Sequence, residues 1–67
     1  MTNTEMLQRA IEVSGLQKKY IAEKLGLSRQ SFSVKLHGKA EFRLQEVSDL
    51  CRILSLSTSE RDAIFFS

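Results

Sequence analysis

The 67-residue chain predicts an all-α fold, a single compact domain of five short helices. Three observations carry that prediction. Apolar residues recur at three- and four-residue spacing from end to end, and no stretch alternates with period two for long enough to make a strand. Proline is absent, and no Gly/Ser-rich tract, linker or internal repeat interrupts the chain. Gly15, Gly26 and Gly38 stand where the apolar rhythm stops, which is where helices end.

Each helix can be justified in turn. The first runs from about Thr4 to Ser14 on Met6, Leu7, Ala10 and Ile11; Asn3 or Thr4 caps it and Gly15 stops it. The second runs from about Gln17 to Leu25 on Ile21, Ala22 and Leu25, and Gly26 stops it. Gln17 holds its cap position, where a long side chain caps poorly. Ser28 caps a third helix that turns Phe32 and Leu36 inward and ends before Gly38. Leu44, Val47, Leu50, Cys51 and Leu54 mark the fourth. Ser57, Thr58 or Ser59 opens a short fifth helix with Ile64 and Phe65 inside, and Ser57 with Glu60 has the spacing of a capping box.

Composition excludes several classes. The single cysteine allows no internal disulfide, so a domain this small must rely on tight helix packing or on a partner. No apolar run approaches the ~20 residues of a membrane span. The opening MTNTEMLQRA has no hydrophobic core of a signal peptide, so a cytosolic location is expected. No phosphate-binding or dinucleotide-binding glycine motif is present. His37 is the only histidine, and Cys51 reads as a core thiol at helical spacing, so no metal or cofactor is expected. Glu46 and Asp49 read as solvated carboxylates on a helix face. An enzyme is not expected.

Charge is unevenly spread. The formal net charge is +2. Residues 17–43 hold Lys18, Lys19, Lys24, Arg29, Lys35, Lys39 and Arg43 against only Glu23 and Glu41. The flanking thirds are slightly acidic. A basic patch confined to the middle of a nearly neutral chain suits a polyanionic partner.

The same middle third carries a specific pattern. Only Gly-Leu-Ser joins the second and third helices, too little for an antiparallel hairpin and enough for two helices that cross steeply. Gly26 can take positive φ just past the second helix. Ala22 and Ser31 are small enough for close approach, and Ile21, Leu25, Leu27 and Phe32 form the wedge between the two.

The segment LQKKYIAEKLGLSRQSFSVKLHGK resembles the helix-turn-helix of the phage repressor and Cro family, the lambda-repressor-like or XRE-type domains. The resemblance spans most of the chain, with the helix-turn-helix at about residues 17–37, and ERDAIFF is similar to the ends of small phage and prophage regulators. It implies a lambda-repressor-like five-helix fold and a transcriptional regulator that reads double-stranded operator DNA in the major groove through the third helix. It implies a homodimer, at least on DNA, in the cytosol of a bacterial host. A small antirepressor that binds another regulator protein through the same fold is the alternative.

Arg29, Gln30, Ser33 and Val34 are then the expected base contacts. Arginine suits guanine O6 and N7, glutamine suits adenine N6 and N7, and valine suits a thymine methyl. In the resembled family the start of helix two and the end of helix three bracket the DNA backbone; here those positions hold Gln17, Lys18, Ser28, His37, Lys39 and Arg43. His37 has a second possible role as the C-terminal cap of its own helix, and Lys19 and Lys24 read as solvated. Lys35 stands where the family often has an apolar residue; its stem is expected to run along the core with the ammonium reaching out. At the chain's end, one of Phe65 and Phe66 should pack back on helix one. Leu56, Phe65 and Phe66 supply the candidate dimer contact, which would set two recognition helices about 34 Å apart.

Overall fold

The computed structural model describes residues 2–66. Among the described residues the fold is all-α, five helices in an envelope of 28 × 24 × 20 Å. They are α1 (Thr4–Ser14), α2 (Lys18–Leu25), α3 (Arg29–Leu36), α4 (Leu44–Ile53) and α5 (Thr58–Phe65). Among the described residues no helix is long and apolar enough to cross a membrane.

Local chemistry sets these boundaries. The Met6 N–H donates to Asn3 Oδ1 at 3.1 Å, so Asn3, rather than Thr4, caps α1. Gln17 has extended backbone and gives α2 no side-chain cap. Ser28 Oγ accepts from Ser31 N–H at 3.0 Å and opens α3. At α5 the capping is reciprocal: Ser57 Oγ accepts from Glu60 N–H, and Glu60 Oε1 accepts from Ser57 N–H. Leu27 N–H bonds back to Ala22 O at 2.9 Å and Gly26 N–H to Glu23 O at 3.1 Å, a Schellman closure with Gly26 at φ +73°. The same closure ends α4, with Leu56 N–H on Cys51 O and Ser55 N–H on Arg52 O. There the left-handed residue is Ser55, at φ +54°. A serine gives no hint of that conformation in the sequence.

The interior is one cluster drawn from every helix: Leu7, Ile11, Ile21, Ala22, Phe32, Leu36, Val47, Leu50, Ile64 and Phe65. α2 packs against α3 and α4, and α1 packs against α3 and α5. Phe42, on the segment between α3 and α4, joins Phe32 and Phe65 edge-to-face, with ring centroids 6.3 and 6.2 Å apart. This row of three rings holds the connecting segment on the core and explains why Phe65 is buried. The two ends of the fold meet where Asn3 N–H donates to Ile64 O at 2.6 Å.

Three expectations need correction. Ser31 is exposed instead of packed against α2. Glu46 is buried, not solvated, at 7% exposure. Lys35 does not reach into solvent, because its Nζ lies 2.7 Å from Glu46 Oε1 and both side chains are largely covered. The same oxygen accepts the Arg43 N–H at 2.9 Å, so one carboxylate satisfies the start of α4 and anchors α3. Burial alone would raise the Glu46 carboxyl; the Lys35 ammonium and the Arg43 N–H outweigh it and hold the group below its ordinary range.

Candidate nucleic-acid interface

α2 and α3 meet along a groove of about 490 Å³ lined by Lys18, Lys19, Arg29, Gln30, Phe32, Ser33, Leu36 and His37. Phe32 and Leu36 are its buried floor, and the other six side chains are exposed. The three-residue turn brings this about. Gly26 reverses the chain after α2, Leu27 tucks partly into the core, and Ser28 starts α3 with its first turn beside the first turn of α2.

The electrostatics are one-sided. The groove lining contains three cationic side chains, Lys18, Lys19 and Arg29, and no carboxylate. Among the described residues the ion pairs are Lys35–Glu46, Arg52–Asp49 and Arg61–Asp62, none of which uses a groove cation. Helix starts differ in the same sense. α1, α4 and α5 each have an acid in the first turn (Glu5, Glu46 and Glu60), as the helix dipole favours. α2 and α3 have none, and carry Lys18, Lys19 and Arg29 there instead. Positive side chains against positive helix ends are locally unfavourable, and an anion arriving from outside would relieve both.

His37 has a defined orientation. Its Nδ1 lies 2.8 Å from the Ser33 carbonyl oxygen and 3.4 Å from Ser33 Oγ, so the ring does cap the end of α3. It also lines the groove, and the two roles coexist.

The expected site residues fall into groups. Lys18, Arg29, Gln30, Ser33 and His37 are brought together in the groove. Gln30 also borders a second, shallower concavity with Ser31, Val34, Lys35 and Ala40, which places Val34 on the other side of the α3 ridge. Gln17 and Ser28 are exposed beside the groove, one at each helix start, and the Ser28 oxygen already accepts the Ser31 N–H. Lys39 and Arg43 are exposed on the segment after α3 and do not line the groove. Lys19 belongs to the groove although its sequence setting reads as solvated; its place in the first turn of α2, next to Lys18, was the available signal. Lys24 instead lies over the Tyr20 ring, 5.5 Å from the centroid.

The expected dimer residues separate as well. Phe65 is buried in the chain's own core, whereas Phe66 is 57% exposed under the Arg61 guanidinium. Leu56 is half-buried and lines a mainly apolar groove of about 480 Å³ between α1 and α5, with Met6, Ala10, Val13, Leu54 and Ile64, edged by Glu5, Arg9, Ser14 and Glu60. Burial pushes the Cys51 thiol up, against a smaller opposing effect of Arg61, in keeping with a packing role. Comparison of the chain with protein-family models, with curated proteins and with solved structures gave no match.

Proposed function

We propose that this protein is a sequence-specific DNA-binding transcriptional regulator of the Cro or phage-repressor kind, with α2 and α3 as its helix-turn-helix. One observation carries the reading. The first turns of α2 and α3 share an acid-free basic groove, and Arg29 and Gln30 stand exposed at the start of the second of these helices. The major groove of B-DNA admits one helix, whose N-terminal residues meet the base edges. In this reading Arg29 and Gln30 read bases, Ser33 and Val34 extend the contact, and Gln17, Lys18, Ser28, His37, Lys39 and Arg43 hold phosphates. Lys19 joins the phosphate set. Occupying an operator would exclude polymerase.

A pair of copies related by a two-fold axis would read a roughly palindromic site. Leu56 and Phe66 remain the residues for that contact. Selecting bound duplexes from a random library, then titrating the enriched one against salt, tests the proposal. Enrichment of one motif and a steep fall of affinity with salt are expected; failure to enrich any sequence counts against sequence reading.

The mainly apolar groove between α1 and α5 favours one other reading, a modulator that binds another regulator protein. Tight binding to a partner repressor with no DNA binding at low salt would select it.

A further inference from the structure

His37 is attached to α3 by a bond that fixes where its proton lies. The Ser33 carbonyl can only accept, so the 2.8 Å contact requires the hydrogen on Nδ1. A neutral imidazole has one N–H. With that proton committed to α3, the far nitrogen, Nε2, carries a lone pair. The exposed ring lines the basic groove, so Nε2 is the atom it has left for a ligand. A lone pair repels a phosphate oxygen. Only the imidazolium can donate from Nε2 while Nδ1 keeps its bond to Ser33.

We propose that His37 is a proton-dependent phosphate donor, so that this protein takes up one proton at Nε2 when a nucleic-acid phosphate enters the α2–α3 groove. The inference rests on the DNA-binding reading and adds a linkage to it. Lys18 and Lys19 from α2 and Arg29 from α3 face the groove with the ring, and no carboxylate lines it. A phosphate oxygen at Nε2 favours the charged ring, because an opposite charge at contact distance stabilises it. The proton goes from solvent to Nε2, no covalent bond to phosphorus changes, and the complex carries one more positive charge than the separated molecules.

The test measures dissociation constants for a mixed-sequence DNA duplex of about 20 base pairs at constant ionic strength between pH 8 and pH 6, for the wild type and for His37→Gln. His37 is the only histidine, so the variant removes imidazole titration altogether. The glutamine amide still offers a donor at either pH. The wild type should bind roughly tenfold more tightly at pH 6 than at pH 8, as expected for one charge-assisted hydrogen bond gained. His37→Gln should show a small, flat pH dependence. Calorimetry in two buffers of different ionisation enthalpy should show net proton uptake by the wild type alone. Wild-type binding that is flat with pH, or a pH slope kept in His37→Gln, overturns the inference and leaves the DNA-binding reading standing. No binding to the duplex at low salt at either pH overturns both. Circular dichroism of the variant separates a lost α3 cap from a lost donor: an intact helix signal with a flat pH profile supports the proposal, and a changed pH profile that merely follows lost helix overturns it.

Discussion

Lys35 Nζ lies 2.7 Å from Glu46 Oε1, and through that contact the inner edge of α3 is pinned to the first turn of α4. The lysine could not be spared without stranding the carboxylate, whose other partner among the described residues is the Arg43 N–H. Lys35→Met should therefore destabilise the fold by about 2 kcal/mol, less than for a fully enclosed pair because both groups keep some solvent contact. In a domain of this size that lowers the thermal midpoint by roughly 10 °C. An unchanged midpoint would mean that the pair is energetically idle.

The same carboxylate makes stability depend on acid. The folded chain holds Glu46 below its ordinary range. Its contribution is thus complete above the unfolded value of about 4.3 and is lost as pH falls through the lower folded value. Glu60, held down by the Ser57 N–H and then the Ser57 hydroxyl, acts in the same direction. Urea denaturation at pH 7 and pH 3 should show a marked loss for the wild type. Glu46→Gln should start less stable at pH 7 and lose less on acidification. Equal losses in the two proteins would remove Glu46 from the acid response.

Two left-handed residues make a matched pair of tests. A β-carbon on Gly26 would touch nothing within 4 Å, so Gly26→Ala isolates the backbone cost of φ +73°. That cost should be about 1–2 kcal/mol. Ser55 already bears such a cost at φ +54°, and Ser55→Gly should stabilise by about 0.5–1 kcal/mol. Chemical denaturation measures both. If the two changes shift stability in the same direction, backbone strain is not what they report.

On DNA, base-reading and phosphate-binding residues should separate cleanly. Arg29→Ala or Gln30→Ala should cost roughly 1–3 kcal/mol on the selected sequence and relax preference at one position. Lys39→Ala should weaken every duplex alike and lower the salt slope by about one. Uniform loss for Arg29→Ala, or an unaltered slope for Lys39→Ala, would reassign that residue.

The helices were legible because their ends are written locally. Asn3, Ser28 and Ser57 cap through residues three positions away, and Gly15 and Gly26 close within one turn. The short α2–α3 connection followed from the Gly26 stop and the Ser28 cap. What escaped was tertiary. Lys35 and Glu46 are eleven positions apart, and periodicity alone puts neither on a covered face. The ring partner of Phe65 is tertiary too: Phe42 meets it edge-to-face from the segment between α3 and α4, twenty-three positions away. Ser55 adopts a glycine-like angle because the α4 closure demands it, not because its side chain prefers it.

Asn3 closes on Ile64, and Phe65 sits in the same cluster as Leu7 and Ile11. On the ribosome, then, α1 must wait for α5. Until α5 has cleared the exit tunnel, α1 lacks part of the surface that shelters it, so its packing is completed only after the chain has been made through Phe65.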